Sequence, residues 1–135
     1  MYSHETQIRV RYGETDKMGF LYYGNYAQYY EVGRVEAIRN LGFSYKQMED
    51  EGIMLPVLDL KSTFIKSAFY DDLLRIKTSV TKMPGVRIHF AYEIYNPDDE
   101  LINIGETTLV FFDSNRRRPI KAPDYVTEKL KPFFG

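Results

Sequence analysis

The sequence predicts an α+β protein in which one long helix covers one face of an antiparallel sheet. Apolar and polar residues alternate with period two in several segments, most regularly over residues 86–95, and this alternation predicts strands. Short turns such as Pro84-Gly85 join the later strands, so we expect neighbours in sequence to pair antiparallel. The helix is predicted from one stripe with helical spacing, formed by Tyr26, Tyr30, Gly33, Ala37 and Leu41.

The first part of the chain is expected to carry the helices. We expect a strand over residues 6–12, a loop over 13–21 and the long helix over roughly 25–41. Gly42 follows the last apolar position of the stripe and is expected to end the helix in a left-handed cap. A second, short helix is expected over residues 45–51.

The second part is predicted to be mostly sheet. Four strands are expected, over residues 57–67, 74–81, 86–95 and 101–112. A polar loop over 113–119 follows, and Asp124 is placed to cap a final short helix that ends near Pro132. Because no repeat and no linker interrupts the pattern, residues 1–135 are expected to form a single domain.

The predicted helix leaves part of the sheet without cover. A helix is only about 10 Å wide, and it lies on one face. We therefore expect a second copy of the chain to cover the other face, in a homodimer or homotetramer.

Composition excludes several classes of protein. Lys plus Arg number 18 and Asp plus Glu 19, and a formal net charge of −1 provides no basic footprint for nucleic acid. The absence of cysteine excludes zinc ribbons, thiol nucleophiles and disulfide frameworks. No apolar run approaches the ~18 residues of a membrane span, and the N-terminus lacks the apolar segment of a signal peptide. We therefore expect a cytoplasmic protein.

A metal site is not expected, and no other cofactor is indicated. His4 and His89 are far apart in sequence, and no third ligand accompanies either of them. The chain also lacks a glycine-rich phosphate loop.

The loop before the long helix is the strongest candidate for chemistry. It carries Asp16 and Gly19 just ahead of the helix start. The N-terminus of a helix offers unpaired N–H donors and a positive field, while a carboxylate can act as a base or nucleophile. Such a combination suits acyl chemistry. The plainer alternative is an ordinary loop aspartate that hydrogen-bonds the helix start.

Residues 12–30 read YGETDKMGFLYYGNYAQYY and resemble the hot-dog fold acyl-CoA thioesterases, in particular the 4-hydroxybenzoyl-CoA thioesterase family. The family signature runs from an aromatic residue to an Asp, then a Gly, then an aromatic-aromatic or aromatic-His pair, and then an Asn-Tyr or Ser-Tyr that opens the helix. Because the downstream strand order also agrees, the resemblance covers nearly the whole chain. It implies a curved sheet wrapped around a central helix, and paired subunits with active sites at their interface.

Matched position by position, the resemblance implies that Asp16 is the catalytic carboxylate and that the backbone N–H of Tyr23 polarises the thioester carbonyl. The implied reaction is hydrolysis of an acyl-CoA to the free acid and CoA. Asp16 would either activate a water molecule or attack directly to give a mixed anhydride, and the sequence leaves both open. The other signature positions are expected to contact substrate: Tyr12, Gly19, Tyr22, Asn25 and Tyr26.

Two positions depart from the family pattern. Many bacterial relatives that act on short or medium acyl groups have His at the position of Tyr23, so the acyl group stays open. The backbone N–H at this position is present whether the residue is His or Tyr, so the expected oxyanion role is unaffected. Gly24 stands where relatives have Pro or Ala, and glycine makes the helix start more flexible.

Coenzyme A carries several phosphate charges, so basic residues are expected near the mouth of the site. The candidates are Lys61, Lys66 and Arg87. The run Arg116-Arg117-Arg118 is a further candidate, for which a solvated loop is the plainer interpretation.

Two helix carboxylates compete with Asp16, because a related hot-dog branch uses an acid on the central helix. Glu31 lies three residues before Arg34 and is expected to form a local ion pair or an interface contact instead. Glu36 is the other rival. Two further functions stay open: a thioesterase for acyl-carrier-protein substrates, and a catalytically silent protein that binds an acyl chain or a partner.

Overall fold

The computed structural model describes residues 1–135. Its strands are β1 (Tyr2–Arg9), β2 (Ile53–Met54), β3 (Val57–Phe64), β4 (Leu73–Val80), β5 (Arg87–Tyr95), β6 (Leu101–Val110), β7 (Phe112–Asp113) and β8 (Arg118–Pro119). Its helices are α1 (Tyr26–Leu41), α2 (Tyr45–Asp50) and α3 (Asp124–Leu130). Five strands form an antiparallel sheet in the order β1-β4-β5-β6-β3, and β2, β7 and β8 form a small second sheet. The predicted α+β class, with one long helix on an antiparallel sheet, is confirmed.

The order of strands corrects one prediction. The segments 57–67 and 74–81 were expected to be paired neighbours, but β3 pairs with β6 and β4 pairs with β1. The connection over residues 65–72 is not a tight turn, because it leaves one sheet edge and packs against the 13–21 loop. The N–H of Leu21 donates to the carbonyl of Ala68 at 2.8 Å. This packing brings the end of β3 beside the candidate loop.

The first strand also lies earlier than predicted. It spans Tyr2–Arg9 instead of residues 6–12, because its partner β4 runs from Val80, opposite Tyr2, to Leu73, opposite Arg9. Beyond Arg9 the chain has no strand to pair with and turns into a short 3₁₀ helix that begins at Tyr12. The predicted polar loop over 113–119 likewise contains strand β8.

The contact between α1 and the sheet forms the centre of the core. Tyr30 is fully buried, and its ring stacks on Tyr92 of β5 with centroids 4.4 Å apart. Gly33 lies against Thr78, so that a Cβ at this position would come within 2.6 Å of the Thr78 hydroxyl. A Cβ at Gly105 of β6 would overlap the ring of Tyr30. The two glycines therefore allow the helix to approach the sheet closely.

The outer face of the sheet is polar, so it does not need the second copy of the chain that was expected to cover it. Lys77 pairs with Glu93 at 4.0 Å, and His89 lies 3.1 Å from Glu106. Arg75 likewise pairs with acidic neighbours on this face. Paired charges at a surface are stable in water and need no apolar cover.

None of the helices has the length and the apolar character that a membrane span requires. No group of three or more His, Cys, Asp or Glu side chains is arranged to hold a metal ion.

We expect Gly105→Ala to lower the free energy of unfolding by about 1–3 kcal/mol, because the new methyl group would displace Tyr30 in a closely packed core. Urea unfolding followed by circular dichroism measures the change. Gly85→Ala is the matched control, since nothing lies within 4 Å of a Cβ at Gly85. A Gly105→Ala protein that unfolds at the wild-type urea concentration would show that α1 does not need this close approach.

Candidate active site

The loop that carries Asp16 is held by its own hydrogen bonds. Oδ1 of Asp16 accepts the N–H groups of Met18 at 2.9 Å and Phe20 at 3.2 Å. The carbonyl of Asp16 accepts the N–H of Gly19 at 3.0 Å, and Gly19 has a φ of 85°, which glycine adopts without strain. The loop therefore orients the carboxylate through one oxygen. The other oxygen, Oδ2, makes no hydrogen bond within the chain.

This arrangement differs from the plainer alternative for Asp16. The side chain bonds its own loop and makes no hydrogen bond to the start of α1. Asn25, which precedes the helix, accepts no capping hydrogen bond with its side chain either.

The start of α1 offers free donors. Residues Tyr23–Asn25 form one 3₁₀ turn that continues into the helix. The N–H of Tyr22 donates to the carbonyl of Glu14 at 2.8 Å, and the N–H of Asn25 donates to the carbonyl of Tyr22 at 2.9 Å. The N–H groups of Tyr23 and Gly24 make no hydrogen bond in the chain. Two donors at the positive end of the helix are thus available to a ligand.

Asp16 and Tyr23 line the same cleft, of about 280 Å³, which we call the Asp16 cleft. Its walls come from the 13–21 loop, the start of α1 and the end of β3. The nine lining residues are Asp16, Phe20, Leu21, Tyr23, Tyr26, Phe64, Ile65, Lys66 and Ser67. The cleft therefore combines apolar and aromatic walls with one carboxylate and one amine, a composition typical of small-molecule sites.

The electrostatics of the Asp16 cleft leave one candidate base. Asp16 is the only carboxylate that lines it, and Lys66, the only cation, forms an ion pair with Glu100. Burial, with a smaller contribution from the nearby Tyr30, raises the pKa of Tyr26 to about 12, so this hydroxyl stays neutral at physiological pH. Tyr26 packs edge-on against Phe64 at 5.0 Å between centroids.

Of the predicted site residues, the Asp16 cleft contains Asp16, Tyr23, Tyr26 and Lys66. Four other predicted residues do not line it, and each has a structural contact instead: Tyr12, Gly19, Tyr22 and Asn25. Tyr12 is 76% exposed and packs against Tyr70. Tyr22 packs against Tyr23, and Nδ2 of Asn25 donates to the carbonyl of Glu14 at 2.9 Å.

Lys61 and Arg87 lie outside the Asp16 cleft of their own chain. Lys61 is opposite Glu106, whose side chain lies on the outer face of the sheet. Arg87 is opposite Val110, whereas the cleft end of β3 is opposite Asn103, at the other end of β6. Within one chain, Lys66 is the only one of the three predicted CoA contacts beside Asp16.

The expected ion pair between Glu31 and Arg34 does not form. Arg34 is only 7% exposed and faces Tyr45 and Tyr92 beneath the helix, whereas Glu31 is exposed. Glu36 pairs instead with Arg39. Neither rival carboxylate lines the Asp16 cleft.

The sequence pattern missed the wall opposite the helix. Phe64, Ile65 and Ser67 lie far from Asp16 in the sequence and reach it because residues 65–72 pack on the loop. The sequence pattern of residues 57–67 predicted a strand, but it did not indicate that these residues belong to a functional site. Phe20 and Leu21 lie inside the signature and could have been named from it.

Most of the chain is similar in sequence to known thioester hydrolases. Residues 10–130 match the family model described as the thioesterase-like superfamily. YneP of Bacillus subtilis (strain 168) is 35% identical, over 97% of this chain and 99% of that protein. Acyl-CoA thioester hydrolase YbgC of Escherichia coli O6:H1 is 30% identical, over 92% of each chain.

Solved structures lead to the same family. A DHNA-CoA thioesterase from Staphylococcus aureus superimposes with a TM-score of 0.86 and 41% identity, over 99% of this chain and 85% of that one. A 4-hydroxybenzoyl-CoA thioesterase also shares the fold. The resemblance deduced from residues 12–30 is confirmed. The chain therefore belongs to the thioesterase-like superfamily, as a hot-dog thioester hydrolase.

Proposed function

We propose that the protein hydrolyses acyl-CoA thioesters with Asp16 as base or nucleophile and the backbone N–H of Tyr23 as the oxyanion donor. The observation that supports the proposal is that Asp16 and Tyr23 line one cleft of about 280 Å³. One oxygen of the Asp16 carboxylate makes no hydrogen bond within the chain, and neither does the N–H of Tyr23.

These two groups divide the chemistry between them. Attack on a thioester carbonyl places negative charge on its oxygen, and a fixed N–H donor can stabilise that charge by about 3 kcal/mol in the transition state. Gly24 adds a second free N–H beside Tyr23. Oδ2 of Asp16 is free either to remove a proton from the attacking water or to attack the carbonyl itself. When Asp16 acts as base, the C–S bond breaks and the CoA thiolate leaves, taking up the proton that Asp16 removed from water. When Asp16 attacks directly, the C–S bond breaks to leave an acyl–Asp16 anhydride, and water then hydrolyses this anhydride to the free acid, restores the carboxylate and supplies the proton of the CoA thiol.

The lining supports an aromatic acyl group as the first substrate to test. Phe20, Tyr23, Tyr26 and Phe64 give the cleft flat apolar walls, on which an aromatic ring packs well. The 41% identical structure from Staphylococcus aureus is named a DHNA-CoA thioesterase. Lys66 is the residue best placed for a phosphate of CoA, because it lines the cleft and is half exposed. The whole of residues 1–135 is proposed to act as one cytoplasmic enzyme domain.

We expect Asp16→Asn and Asp16→Ala to lower kcat by about 10²–10⁴-fold while the fold survives, because both remove the only carboxylate of the cleft. The rate is measured as release of free CoA thiol from aromatic, short-chain and medium-chain acyl-CoA. The same assay with an acyl-carrier-protein thioester tests the alternative that the enzyme acts on acyl-carrier-protein substrates. Asp50→Asn, an exposed carboxylate of α2, is the matched control. Wild-type turnover by both Asp16 variants would overturn the assignment, and no turnover of any thioester by wild type would favour a silent binding protein.

We also propose that the active form is a homodimer or a homotetramer built on the free edge of β3. This strand pairs with β6 on one side only, and five apolar side chains at the edge are about half exposed: Val57, Leu58, Leu60, Phe64 and Ile65. A free, apolar strand edge is a template for pairing with another chain. Phe64 and Ile65 also line the Asp16 cleft, so a second copy at this edge would help to close it.

We expect light scattering after gel filtration to give at least twice the mass of the chain, and Leu60→Lys to shift the protein towards monomer at micromolar concentration. A buried lysine without a partner opposes association. Val32→Lys changes a similarly exposed apolar residue on α1 and is expected to leave the mass unchanged. A wild-type monomer, or an equal effect of both substitutions, would contradict the proposed edge.

A further inference from the structure

Glu14 is a buried carboxylate that takes no part in the chemistry proposed above. It lies two residues before Asp16, only 8% of its surface is exposed, and it does not line the Asp16 cleft. Its Oε1 accepts the main-chain N–H of Arg11 at 2.9 Å and the hydroxyl of Tyr29 at 2.8 Å. Its Oε2 accepts Nη2 of Arg11 at 3.1 Å. The side chain thus joins the exit of β1 to the first turns of α1.

The main chain of Glu14 makes a second connection to the same helix. Its carbonyl accepts the N–H of Tyr22 at 2.8 Å and Nδ2 of Asn25 at 2.9 Å. Together with the bond from Tyr29, these are the only hydrogen bonds between residues 10–21 and residues 22–41. Apart from the covalent chain itself, the hydrogen bonds that hold the loop to the start of α1 therefore all involve Glu14, through its side chain and through its carbonyl.

We propose that Glu14 is a positioning residue that sets the carboxylate of Asp16 against the free N–H groups of Tyr23 and Gly24. This inference rests on the proposed function of those groups. The carbonyl of Glu14 accepts the N–H of Tyr22, so the first N–H groups of this turn without a partner are those of Tyr23 and Gly24. A shift of Glu14 would move the loop and the helix start relative to each other, and a misplacement of about 1 Å can cost on the order of 10²-fold in rate.

The charge of Glu14 suits this role. Burial alone would raise the pKa of Glu14, but the hydrogen bonds from Arg11 and Tyr29 lower it overall. The group is therefore an anion at neutral pH and can accept all three donors, which strengthens each bond. The Arg11 side chain is 78% exposed, so its ion pair adds little, and the buried bond to Tyr29 is the more important one.

The experiment compares the steady-state kinetics of Glu14→Ala, Tyr29→Phe and the double variant with wild type, on the best acyl-CoA substrate. We expect Glu14→Ala to lower kcat by about 10–100-fold and to change KM by less than about threefold, because Glu14 does not touch the cleft. Tyr29→Phe removes one of its bonds and is expected to have a smaller effect in the same direction. The double variant should be no slower than Glu14→Ala, because both changes act through one contact.

Glu36→Gln is the matched control, since it neutralises an α1 carboxylate that pairs only with Arg39. Rates are expressed per folded enzyme, with the folded fraction taken from circular dichroism at the assay temperature. A wild-type kcat per folded Glu14→Ala enzyme would overturn the proposal, as would a loss confined to KM. If Glu14→Ala does not fold, Tyr29→Phe decides, and an unchanged kcat in that variant overturns the proposal.

The Asp16 variants separate this inference from the function on which it rests. Full activity in Asp16→Asn would contradict the proposed catalytic role of Asp16, and with it the role of Glu14 in positioning that residue. An inactive Asp16→Asn beside a fully active Glu14→Ala would overturn the positioning role alone.

Discussion

The ring of Tyr30 lies flat on Tyr92 and directly over Gly105, and this contact determines how closely α1 approaches the sheet. The hydroxyl of Tyr30 bonds Asn103, a fully buried residue of β6. Since α1 is rigid, fixing it at Tyr30 also fixes its first turn, where Tyr26 packs on Phe64 at the end of β3. The free donors of Tyr23 and Gly24 therefore lie beside the strand end that forms the opposite wall of the cleft.

The site combines this rigid helix with a loop that is ordered by its own backbone. Asp16 does not depend on a neighbouring charge for its orientation, because two N–H groups of the loop bind one of its oxygens. The loop docks on the helix through Glu14 and on residues 65–72 through the main chain of Leu21. A carboxylate and a helix N-terminus that are held in this way can act on a carbonyl without a His, Ser or Cys triad.

The sequence predicted the parts of this arrangement that depend on local pattern. The stripe from Tyr26 to Leu41 marked α1 almost to the residue, because one helical face is buried along its whole length. Asp16 and Tyr23 were identified through the family signature. The position of β1 was wrong at both ends, because strand ends depend on the length of the partner strand, β4.

Long-range pairing accounts for what could not be predicted. Nothing in residues 57–64 indicates that their partner is β6 and not the next strand, so the walls at Phe64 and Ile65 were missed. The sequence does not single out Glu14, because only the folded chain brings Tyr29 to it. Arg34 was expected to pair with Glu31, yet it lies under the helix, since helical spacing alone does not reveal how far the buried face extends.

The most direct test of the central claim is a crystal structure of the Asp16→Asn protein with an unhydrolysed acyl-CoA. We expect the thioester carbonyl oxygen at about 2.7–3.1 Å from the backbone nitrogen of Tyr23, the distance of an oxyanion-hole donor. The side chain of residue 16 should then lie about 3–3.5 Å from the carbonyl carbon or from a water molecule poised to attack it. A thioester bound outside the Asp16 cleft, or a carbonyl that points away from the start of α1, would contradict the account.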